Sequence, residues 1–160
     1  MNPNNKVLFL CMGNYFRSRF AEELFNALAA QAGIPHRALS RGLRFSGNNR
    51  GPISPFAVTC LRDLGIDVND PRYPLYAEDN DLSAASLIVS TYESEQRPII
   101  DLRFPRHAPR VEYWDVRDVP GNADPTQREQ LAREALRAIE KNVRALVHRL
   151  AHDDEDSSAA

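Results

Sequence analysis

The chain has 160 residues, a formal net charge of −2, 42% hydrophobic and 26% charged residues. That length suits a single domain able to bury roughly two-thirds of its unfolded surface, and the near-neutral balance gives no footing for nucleic acid or an anionic membrane as a partner. No apolar run approaches membrane-spanning length, and the two cysteines, Cys11 and Cys60, have no metal-ligand spacing; few cysteines and no signal peptide point to the cytoplasm.

Residues 1 to 5 are polar and read as a frayed start. A first strand is expected from Lys6 to Leu10, because Val7, Leu8, Phe9 and Leu10 are all apolar, as in a parallel strand covered on both faces. Cys11-Met12-Gly13-Asn14-Tyr15-Phe16-Arg17-Ser18 then reads as a tight turn entering a helix, with Ser18 as its capping residue. A loop curled between a strand end and a helix N-terminus turns backbone N–H groups inward. Together with the positive end of the helix dipole, those donors make an anion site. Cys11 stands at its floor and Arg17 at its rim, where a guanidinium fork matches two phosphate oxygens. The same field favours the thiolate of Cys11, a nucleophile aimed at phosphorus, and the Ser18 hydroxyl is positioned to steady it. Gly13 allows a positive φ in the turn, and Asn14 tolerates one better than most residues.

The first helix is expected over Arg19 to Gln31, with Phe20, Leu24, Ala27 and Leu28 near one face, and Gly33-Ile34-Pro35 ends it. His36 to Ser40 is a short second strand, followed by a loop from Arg41 to Pro52 in which Arg41, Arg44 and Arg50 could edge the site and attract anions. Ser54 caps a second helix with Pro55 in its first turn and Gly65 as its stop, and Cys60 is a packing residue on it. Asp67 to Asn80 is irregular, and Asp81-Leu82-Ser83 suggests one helical turn. Ala85 to Thr91 is the third strand, and the helix after it is expected to be short because Pro98 follows closely. Arg110 to Trp114 is the fourth strand, residues 115 to 124 a loop, and Pro125 to His148 a last helix whose apolar stripe steps by three or four.

Four strands alternating with helices argue an α/β fold, a three-layer sandwich of a four-stranded parallel sheet flanked by helices. Ligands in such sheets bind beyond the carboxyl ends of the strands, where Cys11 stands. One domain is expected over residues 1–150, and the acidic, small residues 151–160 are expected to form a disordered tail.

A thiolate that attacks a phosphate ester expels an oxygen leaving group, which an acid can protonate. The loop after the fourth strand carries three aspartates that could reach it: Asp115, Asp118 and Asp124. Asp124 precedes Pro125, Thr126 and Gln127, the pattern of a helix N-cap.

The stretch Cys11-Met12-Gly13-Asn14-Tyr15-Phe16-Arg17-Ser18 closely resembles the signature loop of the low-molecular-weight protein tyrosine phosphatases. The resemblance extends through Ala21-Glu22 and, weakly, through Ser40-Arg41-Gly42, Gly65-Ile66 and Leu87-Ile88-Val89. It implies a phosphomonoester hydrolase acting through a cysteinyl phosphate, with residues 12 to 18 holding the phosphate and no cofactor or metal. The implied substrate is a phosphorylated protein or small phosphomonoester, with phosphotyrosine foremost. The family's acid is an aspartate in this loop followed by proline, and Asp118-Val119-Pro120 looks like a diverged version, which favours Asp118 over Asp124 and Asp115. A desolvated Asp118 facing a phosphate dianion is expected to keep its proton when substrate binds.

Three departures stand out. Phe16 occupies the place where many members carry a second cysteine, and Arg19 the place of a proline. The aromatic pair that usually follows the acid is missing, so Tyr15 and Phe16, with Tyr113 or Trp114, are the candidates for a substrate wall. Two other readings compete: an arsenate reductase-like enzyme, which needs further cysteines that Cys60 alone supplies poorly, and a non-catalytic phosphate- or phosphopeptide-binding module, which needs no acid. The residues carry no signal for oligomeric state.

Overall fold

A computed structural model describes residues 5–159 of the chain. The frayed start expected at 1–5 therefore lies almost wholly outside the described residues. The elements run β1 (Lys6–Cys11), α1 (Arg17–Ala32), β2 (Arg37–Gly42), α2 (Pro55–Asp63), α3 (Asp79–Ala84), β3 (Leu87–Ser90), α4 (Glu93–Arg103), β4 (Val111–Tyr113) and α5 (Pro125–Ala159). The strands form one four-stranded sheet in the order β2-β1-β3-β4, every neighbouring pair parallel.

Alternation along β1 splits the core in two. Val7 and Phe9 face one side, where they join Phe20, Leu24 and Phe25 of α1, Leu61 of α2, and Leu136, Ile139 and Val143 of α5. Leu8 and Leu10 face the other, with Leu82 of α3 and Ile100 of α4. Both faces are thus buried, which is why β1 is a continuous apolar run rather than an alternating one. From β1 the chain steps outward to β2, then returns across β1 to β3, so the direction of winding reverses at the carboxyl ends of β1 and β3. Cys11 is the last residue of β1.

Four local expectations are corrected. Helix α1 begins at Arg17 with Phe16 as its N-cap, and Ser18 is not the cap; its hydroxyl is engaged with Cys11 and Asn14 instead. Helix α4 runs through Pro98 to Arg103. Pro98 and Ser94 lie on its exposed side, so the Ser94 carbonyl that loses its partner faces water, while Gln96 and Ile100 are fully buried and hold the helix on the sheet. Helix α3 spans six residues with a capping box between Glu78 and Asp81, more than the single turn expected. The tail expected to be disordered over 151–160 continues α5 as far as Ala159. Its acidic, alanine-containing composition also suits a helix extension, and contacts that composition does not reveal support it: His36 Nδ1 lies 3.8 Å from Asp154 Oδ2, and His152 pairs with Glu155. Among the described residues, no helix is long and apolar enough to cross a membrane.

Candidate active site

The turn from β1 into α1 is held by its carbonyls. Cys11 O accepts from Leu43 N at 3.0 Å, Met12 O from Arg44 N at 2.9 Å and Tyr15 O from Ser54 N at 3.0 Å. In a trans peptide the following N–H points opposite to its carbonyl. Each carbonyl turned outward therefore turns an amide, of Met12, Gly13 or Phe16, toward the hollow. Gly42 lies against this turn: a Cβ there would come within 2.8 Å of Met12 O, so only hydrogen fits. Within the turn the positive φ belongs to Asn14, at 50°, and not to Gly13.

Ser18 Oγ, in the first turn of α1, lies 2.9 Å from Cys11 Sγ, and both residues are buried. Arg17 is 2% exposed, and its fork is aimed by three partners. NH1 donates to Val116 O at 3.0 Å, and NH2 donates to Glu95 Oε1 at 3.0 Å and lies 3.5 Å from Asp118 Oδ2. Sequence reasoning missed Glu95. The signal was its position: the first turn of the helix that leaves β3, at the same sheet edge as Cys11.

The three candidate acids are separated by their surroundings. Asp118 reaches Arg17 across the mouth of the site, its Oδ1 accepting from Val119 N at 2.9 Å. Its side chain is 51% exposed, so the protein alone does not provide the desolvation expected for it. Asp124 caps α5, accepting from Thr126 N and Gln127 N at 3.0 Å each, as its sequence pattern predicts. Asp115 is exposed and joins Tyr92 in an isolated bridge.

An open cleft of about 980 Å³ runs past Asp118, Val119 and Pro120. Its aromatic lining comes from Tyr15, Phe16 and Phe56, with the last two rings 6.5 Å apart. Phe56, in the first turn of α2, was not anticipated. Trp114 is removed as a wall candidate: it packs on Phe9 in the core, centroids 5.6 Å apart. Tyr113 packs on the opposite face of the sheet. The loop after β2 does edge the cleft, but through Ser46, Asn48 and Asn49 rather than its arginines. Arg41 turns away to Asp81. Cys60 lines a separate small cavity with Arg133; burial pushes its thiol up, against the pull of that arginine.

Behind the turn lies a buried polar cluster that the sequence did not reveal. Asn14 Nδ2 donates to Ser18 Oγ at 2.9 Å and Ser40 Oγ at 2.8 Å. Arg72 donates to Asn14 Oδ1, Ser40 and Glu22, and Glu22 also accepts from the fully buried Arg19. Burial pushes the Arg72 guanidinium down and Glu22 pulls it back. Among the described residues no group of three His, Cys, Asp or Glu side chains could hold a metal ion.

The family model described as low molecular weight phosphotyrosine protein phosphatase matches residues 6–156. A protein-arginine-phosphatase of Bacillus subtilis (strain 168) is 33% identical over 105 residues, 66% of this chain and 67% of that one. A structure of the YwlE arginine phosphatase, a mutant with a phosphorylated active-site serine, superposes with a TM-score of 0.72 at 25% identity, covering 91% of this chain and 95% of the other. The solution structure of a low molecular weight protein tyrosine phosphatase from Bacillus subtilis gives a TM-score of 0.72 at 26% identity, covering 93% and 99%.

Proposed function

Because the chain belongs to the low molecular weight phosphotyrosine protein phosphatase family, a cysteine-dependent phosphatase family, we propose that Cys11 is its nucleophile, Arg17 its phosphate clamp and Asp118 its general acid, and that its substrate is phosphotyrosine in a protein. The Cys11 thiolate attacks phosphorus in line with the ester oxygen. The P–O bond to the leaving group breaks, Asp118 delivers a proton to that oxygen, and phosphocysteine forms. Water then attacks phosphorus, Asp118 takes its proton, and the sulfur leaves as thiolate. The amides of residues 12 to 18 and the Arg17 fork hold the equatorial oxygens in both steps.

One observation carries this reading: Arg17, nearly fully buried, is turned toward Asp118 at 3.5 Å while its neighbour Ser18 contacts Cys11 at 2.9 Å. The nearness of Arg17 to Asp118, and of its chain neighbour Ser18 to Cys11, supports giving these three residues the parts of clamp, acid and nucleophile. A related arginine phosphatase carries phosphate on its active-site serine, which supports a phosphoenzyme route. Tyr15, Phe16 and Phe56 favour a flat aromatic leaving group. Both cysteines are free, which suits a reducing, cytoplasmic setting.

The 33% identity to a protein-arginine-phosphatase favours phosphoarginine as a second reading. Turnover of one peptide bearing phosphotyrosine, and of its counterpart bearing phosphoarginine, separates the two. A higher kcat/KM on phosphotyrosine is expected, and a preference for phosphoarginine would overturn the assignment of substrate.

A further inference from the structure

The loop that carries Asp118 lies between β4 and α5, and an arginine holds it at each end. At its start Arg17 NH1 donates to Val116 O at 3.0 Å, and NH2 faces Asp118 Oδ2 at 3.5 Å. At its far end Arg128, in the first turn of α5, reaches back with NH2 to Gly121 O at 2.8 Å and Ala123 O at 3.3 Å. One guanidinium nitrogen carries two hydrogens, so both carbonyls are served at once. The loop also closes on itself, Ala123 N donating to Pro120 O at 3.1 Å. A Cβ at Gly121 would meet nothing within 4 Å, so side-chain packing does not fix the loop there. The base of the tether is firm: Asp124 caps α5, and Ala135 and Leu136 of that helix are buried in the core.

The two anchors are not equivalent in the reaction proposed above. There Arg17 is the phosphate clamp, so a bound phosphate draws its NH2 group away from Asp118, and the carboxylate loses the cation that held it. Arg128 keeps its hold throughout, because its partners are main-chain carbonyls of the loop and not the substrate. From Gly121 back to Asp118 the chain passes only Pro120 and Val119, and the fixed φ of proline transmits the restraint. We propose that Arg128 is a positioning residue for the acid: it keeps Asp118 within reach of the leaving oxygen once phosphate has claimed Arg17.

This inference rests on Asp118 as the general acid, so the experiment carries Asp118→Asn beside the arginine variants. Values of kcat and KM are measured on phenyl phosphate, a poor leaving group, and on para-nitrophenyl phosphate, a good one. Wild type, Arg128→Met, Arg128→Lys, Asp118→Asn and the Arg128→Met, Asp118→Asn double variant are compared. Arg128→Met is expected to lower kcat on phenyl phosphate about tenfold, the scale of one or two hydrogen bonds, with KM within about twofold of wild type. On para-nitrophenyl phosphate the loss is expected to shrink to about twofold, because that ester needs less help from an acid. Arg128→Lys keeps a charged donor for one carbonyl and is expected to stay within about threefold of wild type on phenyl phosphate. In the Asp118→Asn background Arg128→Met is expected to cost less than about twofold more, since the group it positions is gone. Hydrogen exchange over residues 117 to 123, with saturating inorganic phosphate, is expected to be about fivefold faster in Arg128→Met. Equal losses on both esters, an undiminished loss in the double variant, wild-type kcat on phenyl phosphate in Arg128→Met, or unchanged exchange would each overturn the proposal. If Asp118→Asn shows the leaving-group-dependent loss and Arg128→Met does not, this inference falls alone. If Asp118→Asn loses equally on both esters, the assignment of the acid falls and takes this inference with it.

Discussion

Arg17 and Asp118 face each other at 3.5 Å, guanidinium to carboxylate. The pair brings together groups from α1 and from the loop after β4, which the sequence separates by about a hundred residues. A phosphate dianion entering beside Arg17 takes the place of Asp118 as its partner, and the carboxylate is then left facing negative charge. In the proposed mechanism Asp118 then passes a proton to the leaving oxygen. Asp118→Asn is accordingly expected to lower kcat at least about a hundredfold on a phenolic ester with a poor leaving group. The loss should shrink on para-nitrophenyl phosphate, whose leaving group needs less help. Equal losses on both esters would remove Asp118 from the proton transfer.

Glu95 accepts from the same Arg17 nitrogen, NH2, at 3.0 Å and is itself mostly shielded. Glu95→Gln keeps the shape but removes the charge that aims Arg17. Inorganic phosphate, measured as a competitive inhibitor, is expected to bind about tenfold more weakly, the scale of a lost charge-assisted bond. An unchanged inhibition constant would show that Val116 O and Asp118 suffice to orient the arginine.

Glu22 answers the buried Arg19, the half-buried Arg72 and the Ser40 hydroxyl. Glu22→Gln leaves Arg19, fully buried, and Arg72 short of a counter-charge, and is expected to cost about 3 kcal/mol of stability. A urea titration reads this as a lower midpoint at unchanged slope. A midpoint within the error of wild type would mean that Glu23, which also pairs with Arg19 at 2.9 Å, carries the balance.

Much of this arrangement is legible in the residues. Val7 to Leu10 declare a strand buried on two faces, and the turn from Cys11 into a helix is readable from the residues that follow it. Ser54 with Pro55 gives the start of α2 correctly, its hydroxyl accepting from Ala57 N. What the residues hide is long-range. Ser18 has the makings of an N-cap, and only the nearness of Cys11 and Asn14 shows why its hydroxyl is spent elsewhere. Arg72 sits in an irregular stretch and acquires meaning from Asn14, 58 positions away. Trp114 could face cleft or core from its strand alone; Phe9 across the sheet decides it. Pro98 breaks a helix by propensity, and the buried Ile100 overrules it.

Phe16 stands where many members of the family carry a second cysteine, and its ring packs toward Phe56 at the cleft. A neighbouring thiol can trap an oxidised nucleophile as a disulfide before it is oxidised further. After brief peroxide treatment, Phe16→Cys is therefore expected to regain more activity with dithiothreitol than wild type does. Equal recovery would mean that Cys60 or a small thiol already serves.

The most direct test is turnover of para-nitrophenyl phosphate by wild type and by Cys11→Ser. Wild type is expected to release nitrophenol steadily, and Cys11→Ser to fall to the uncatalysed background, since a serine hydroxyl there is not ionised and attacks phosphorus poorly. Release that persists in Cys11→Ser at a rate near wild type would contradict the assignment of Cys11 as the attacking group.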